Sequence, residues 1–313
     1  MIKEEFYFDS RDGENRIHAV RYTPDDGNVR GIVQIVHGMA EYVERYENLA
    51  EFLTKRGILV TGEDHLGHGK SVSEGGTFGY FCEQDPATVV VRDVHRLKKI
   101  TEEQYPQVPY IILGHSMGSF IARNYLCRYG SGIGGAVIVG TGMQPAGLIF
   151  ASKAMAGIQK LFCGSKHVSH FIDKAAFGGY NKRIDSPRTS SDWLSRNTEN
   201  VDRYIADGLC GFTFTVNGFQ TLFELIRRLQ KQENLEKVPQ NLPILMVSGA
   251  EDPVGDYGKG VRKACDSLKK AGVKNITVKL YENDRHELLN EEDGEQAMED
   301  IYQWIRREIP GLD

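Results

Sequence analysis

Residues Tyr110 to Leu113 form an apolar, partly β-branched run that passes directly into Gly114-His115-Ser116-Met117-Gly118. Behind it Phe120, Ile121, Tyr125 and Leu126 recur at helical spacing, and Gly130 supplies a C-terminal stop. A buried strand that turns at once into a helix narrows the choice of fold: the strand is central and parallel, with its helix folded back on the sheet. A serine flanked by glycines at that junction is the G-x-S-x-G nucleophile elbow. A Cβ at either flanking position would collide with the neighbouring strand or helix. The serine takes a strained backbone conformation that lifts its hydroxyl above the sheet edge, at the positive end of the helix. Pentapeptides of this kind are common; the strand before it and the helix after it give this one weight.

The rest of the chain agrees. Glu5 to Phe8 and Ile17 to Tyr22 read as a hairpin around Asp12-Gly13. Strands at Gly31 to Val36, Ile58 to Thr61, Ala136 to Val139, Ile244 to Val247 and Ile276 to Tyr281 alternate with helical segments. The first of those segments is Tyr46 to Arg56, closed by Gly57. The others are Pro86 to Glu103, Tyr257 to Lys270 and about Glu295 to Arg307. The pattern predicts an α/β fold with a mostly parallel central sheet and helices on both faces. It is interrupted by a glycine-rich, apolar segment with short helical fragments, read as an inserted helical cap over the carboxyl ends of the strands, where such sheets bind ligands. The expected division is a core of 1–142 and 216–313 and a cap of 143–215. Met143, Leu148, Ile149, Phe150 and Phe162 are the expected substrate contacts.

The 313 residues carry 38 Lys and Arg against 43 Asp and Glu, a net charge of -5, with no dense basic tract. Nucleic acid is excluded as a partner on that ground. Five scattered cysteines without C-x-x-C read as free thiols in a reducing compartment. The N-terminus lacks an apolar signal segment, and no run approaches the roughly 20 apolar residues of a membrane span. The expectation is a soluble, cytoplasmic chain, with peripheral membrane contact through the cap left open.

A serine hydroxyl needs a base, and the base an orienting acid, in the chain order Ser, acid, His. His286, in the loop after the last strand, is the only histidine beyond His170. Glu251, Asp252 and Asp256 compete for the acid. Asp252 is favoured because Pro253 holds it extended; Asp256 reads as a helix N-cap and Glu251 as a solvated neighbour. Two backbone N–H groups must face the developing oxyanion, and Met117 and Met39 are the candidates. His65 and His68 lack a ligand set for metal and read as structural, and His115 reads as packing beneath the oxyanion loop. No cofactor or metal is required.

These segments resemble α/β-hydrolases of the monoacylglycerol lipase and lysophospholipase type, grouped with serine aminopeptidase-like (S33) hydrolases. The resemblance rests on Val36-His37-Gly38 with Glu41 and Tyr46, Glu63 to Ser71, Gly114 to Gly118, Gly249 to Val254 and Arg285-His286-Glu287. That family carries arginine at or beside the position of Leu66. The resemblance implies a triad of Ser116, Asp252 and His286, oxyanion donors Met39 and Met117, and hydrolysis of small acyl-ester or lipid-like substrates. The alternatives are a peptidase or amidase, which wants a cap carboxylate such as Asp173, Asp185, Asp192 or Asp207 for a substrate amine, and a non-catalytic ligand-binding protein.

Overall fold

The computed structural model describes residues 1–312. Its eight strands are β1 (Ile2–Asp9), β2 (Arg16–Thr23), β3 (Gly31–Val36), β4 (Ile58–Glu63), β5 (Tyr110–His115), β6 (Gly135–Val139), β7 (Ile244–Gly249) and β8 (Ile276–Tyr281). They form one sheet in the order β1-β2-β4-β3-β5-β6-β7-β8. β2 pairs antiparallel with both β1 and β4, and every other pairing is parallel. The helices are α1 (Glu47–Thr54), α2 (Pro86–Gln104), α3 (Met117–Tyr129), α4 (Ala146–Cys163), α5 (His170–Phe177), α6 (Thr198–Ala206), α7 (Val216–Leu229), the short α8 (Gln232–Leu235), α9 (Lys259–Lys270) and α10 (Gly294–Glu308).

The central strands are buried on both faces, which is why they read as mostly apolar runs, with Gln34 of β3 a buried polar exception. Their two-residue period divides the core. Ile32, Ile112, Ile138 and Met246 face α2, α3, α7 and α9, whereas Val33, Leu113, Val137 and Val247 face α1 and α10. Each such side chain contributes roughly 1.5–3 kcal/mol of burial.

α4, α5 and α6 lie between β6 and β7, in the segment expected to form the cap. α9 starts at Lys259 with Gly258 at its N-cap, so Asp256 is not the cap. Asp256 and Tyr257 instead take positive φ (47° and 55°) in a turn whose Tyr257 N–H donates to the Asp252 carbonyl.

Candidate active site

Ser116 joins β5 to α3 with φ 54° and ψ -120°, a conformation rare for any residue but glycine. The turn is possible because of its flanks. A Cβ on Gly114 would overlap the Gly118 carbonyl and Ala122, and one on Gly118 would overlap the Val36 carbonyl. The Ser116 N–H donates to the Val139 carbonyl (3.0 Å), tying the elbow to the end of β6.

Asp252 is fully buried after β7 and His286 almost so after β8. Gly249 brings their loops together, because a Cβ there would overlap the Asp284 and Arg285 carbonyl oxygens. The carboxylate accepts from His286 Nδ1 (3.0 Å), the Ser248 hydroxyl (3.1 Å) and the Val254 N–H (2.8 Å). Burial alone would push Asp252 up, but the His286 charge and these hydrogen bonds hold it below the usual carboxylate range. A carboxylate only accepts, so Nδ1 carries the proton and Nε2 is left as a base. The imidazole lies against Trp193 (ring centroids 5.1 Å apart) and His115 (4.8 Å).

Ser116 and His286 line the same cavity, but no hydrogen bond joins them in this structure. Such contacts are often long without substrate and tighten in the Michaelis complex. Met39 and Met117 line the cavity too, and neither backbone N–H is spent on another hydrogen bond among the described residues. Gly38 packs close enough to Ser116 that an added Cβ would stand 3.1 Å from the serine Cβ.

The cavity has a volume of about 960 Å³ and is walled on one side by α4 and α5. Met143, Leu148 and Ile149 line it, as does Asp173 of the four cap carboxylates. Phe150 and Phe162 do not: they are 77% and 85% exposed. α4 has apolar residues on two faces, so an apolar side chain there need not point inward. Leu148, Ile149, Ser152 and Met155 face the cavity at helical spacing, while Phe150, Leu161 and Phe162 face outward.

Sequence reasoning missed a buried ionic group around the three loops. Glu41 accepts from the Gly38 N–H (2.5 Å), Tyr46 hydroxyl (2.9 Å), Arg45 (2.9 Å) and His115 Nδ1 (3.1 Å). The other nitrogen of His115 donates to the His286 carbonyl (3.2 Å). Burial disfavours charge on His115, but the Glu41 hydrogen bond and charge outweigh it and raise its pKa above the ordinary imidazole value. Arg45 also pairs bidentately with Glu287 (2.7 and 2.8 Å), which takes a further bond from Asn200 of α6 (2.6 Å). Glu41 and Glu287 stand beside the motif residues, but the contacts that join the group across the fold are distant in sequence: His115 is 74 positions from Glu41 and Arg45 is 242 from Glu287. His65 and His68 lie buried against His37, and burial pushes His68 down to about 3.

The family model described as serine aminopeptidase, S33, matches residues 27–293. The chain belongs to this family of α/β-hydrolases. Rat monoglyceride lipase is 28% identical to this S33 hydrolase over 293 residues, 92% of this chain and 86% of the relative. A monoacylglycerol lipase from Mycolicibacterium smegmatis is 28% identical over 285 residues, 91% of this chain and 90% of its own. The crystal structure of a thermostable carboxyl esterase from Bacillus coagulans, in complex with glycerol, is 31% identical with a TM-score of 0.91. It covers 98% of this chain and 99% of its own.

Proposed function

We propose that this S33 hydrolase cleaves lipid-like carboxylic monoesters, of the monoacylglycerol or lysophospholipid type, through an acyl-enzyme. The observation that carries the reading is one cavity with Ser116, His286 and two unspent N–H groups at its wall and an apolar lining beneath the cap. Ser116 attacks the acyl carbonyl as His286 Nε2 takes its proton. The Met39 and Met117 N–H groups stabilise the oxyanion, each worth about 2.7–4 kcal/mol in such sites. The alcohol leaves with the proton from His286, and water activated by the same ring releases the acid. Asp252 holds the imidazole in one tautomer and stabilises its transient charge. The peptidase reading keeps one candidate, Asp173; Asp192 is engaged by the 188–189 backbone and Asp207 by Tyr42.

Membrane contact through the cap belongs to the same reading. Phe150, Leu161, Phe162 and Phe171 are between 65% and 85% exposed on α4 and α5. Among the described residues, no helix is long and apolar enough to cross a membrane.

The test is turnover of p-nitrophenyl acyl esters and monoacylglycerols, with labelling by a fluorophosphonate. Wild-type protein is expected to label and to prefer longer chains, and Ser116→Ala to lose both activities while keeping its fold. Near-wild-type turnover by Ser116→Ala would end the reading. A flat or falling profile from acetate to decanoate would remove the acyl cavity from it, and preference for aminoacyl amides would favour the peptidase.

A further inference from the structure

Ala40, which follows Met39, is held at φ 53°, a region that alanine enters only against a steric cost. The groups that hold it come from the cap. Its carbonyl accepts from the Tyr204 hydroxyl (3.2 Å) and the Gly211 N–H (3.0 Å). Nearby, the Tyr42 hydroxyl donates to Asp207 (2.9 Å), in the turn that joins α6 to Gly211. The other end of this loop is anchored in the core, where the Gly38 N–H donates to Glu41. Met39 stands between the two anchors. Tyr204 is itself fixed, with the Arg45 guanidinium 5.0 Å from its ring centre and Arg45 locked to Glu41 and Glu287.

We propose that Tyr204 is a positioning residue for the oxyanion loop: by holding the Ala40 carbonyl it keeps the Met39 N–H aimed at the reacting oxygen. The cap segment of α6 and the Asp207–Gly211 turn then serves catalysis itself, while α4 and α5 shape the substrate cavity. The proposal rests on the ester-hydrolase reading above. Without the hydroxyl, Ala40 gains by relaxing to negative φ and the donor loses its aim. Transition-state stabilisation falls and ground-state binding does not.

Tyr204→Phe removes the hydroxyl and keeps the ring under Arg45. One lost hydrogen bond predicts a fall in kcat of about five- to tenfold, with KM within about twofold. The factor is expected to be the same for p-nitrophenyl acetate and for a monoacylglycerol. Affinity for a trifluoromethyl ketone, which forms an oxyanion on Ser116, should fall in parallel. Ala40→Gly in the Tyr204→Phe background should recover most of the loss, because glycine holds positive φ without the steric cost. A loss confined to the glycerol ester would overturn the proposal and make Tyr204 a contact for the leaving alcohol. Unchanged kcat, or no recovery with Ala40→Gly, would also overturn it. Wild-type protein that neither labels with fluorophosphonate nor cleaves esters would instead sink the underlying reading.

Discussion

Replacing Glu287 with alanine removes one half of a buried ion pair next to the proposed base. The Arg45 and Glu287 side chains are 10% and 4% exposed and meet through two parallel hydrogen bonds. Arg45 keeps Glu41, but that carboxylate already serves Gly38, Tyr46 and His115. Breaking a buried pair from one side costs roughly 3–5 kcal/mol. The residual Glu41 contact puts Glu287→Ala at the lower end, about 3 kcal/mol. At roughly 2 °C per kcal/mol for a chain of this size, Tm falls by about 6 °C. Thermal and urea unfolding of Glu287→Ala is read beside a cycle of Glu287→Leu, Arg45→Met and Arg45→Met/Glu287→Leu. The double variant is expected at or above the stability of either single one, since it removes both halves of the Arg45–Glu287 pair and Glu41, which loses Arg45, keeps the His115 contact. Burial pushes Glu287 up, but Arg45 holds it below its ordinary value. A depressed carboxylate stabilises fully above its unfolded pKa, so the wild-type advantage should begin to decline as pH falls below about 4 and be lost as pH passes the lower folded value. A Glu287→Ala loss under about 1 kcal/mol at pH 7, or a double variant less stable than both singles, would refute the reasoning.

Asp93 on α2 accepts from the Ser10 hydroxyl and the Arg11 N–H, and burial pushes its carboxyl up to about 7. The native state therefore holds this proton more tightly than the unfolded chain, and stability drains away as pH rises from about 4 towards 7. Asp93→Asn should raise Tm more at pH 8 than at pH 5, with a difference in stability of about 3 kcal/mol between the two; equal shifts at the two pH values would contradict this. Leu161→Asp/Phe162→Asp should weaken sedimentation with anionic lipid vesicles at least tenfold and spare p-nitrophenyl acetate turnover. Unaltered vesicle binding would exclude this face of the cap as the contact.

The parts of the molecule legible in the sequence are those where one local constraint has one solution. The doubly buried strands β3, β5, β6 and β7 announce themselves because they are mostly apolar on both faces, and the one polar residue inside β3, Gln34, is fully hydrogen-bonded to Glu63, the Val94 carbonyl and Tyr110. Strand ends and chain order point to Ser116, Asp252 and His286; the sheet brings Asp252 within 3.0 Å of His286 and sets Ser116 on the wall of the cavity that His286 also lines. Around Asp256 a local rule misled. An Asp before a helix suits an N-cap, but here the chain must first fold back over Asp252, and two residues at positive φ precede Gly258. Phe150 and Phe162 failed for a different reason. Apolar periodicity marks the inside of a helix only when the helix has one apolar face, and α4 has two. The Glu41, Arg45 and Glu287 group was hidden because its charges look like solvated loop residues until the fold brings them together.

The Glu63–Ser71 segment does not line the cavity, yet it bears on the proposed oxyanion hole from beneath. Asp64 accepts from His18 Nδ1 (2.8 Å) on β2, the Val43 N–H (2.9 Å) beyond the oxyanion loop and the Lys70 N–H (2.8 Å). Next to it, the His65 N–H donates to His37 Nε2 (3.0 Å). Burial lowers the pKa of His37, so its ring is neutral, and with Nε2 accepting, the proton must lie on Nδ1. Nδ1 then donates to the Gly38 carbonyl (2.8 Å). That carbonyl and the Met39 N–H belong to one planar trans peptide and point in opposite directions. Fixing the one therefore aims the other. The His37 ring, held by the His65 N–H, thus orients a backbone donor, and the loop needs that ring neutral to do so.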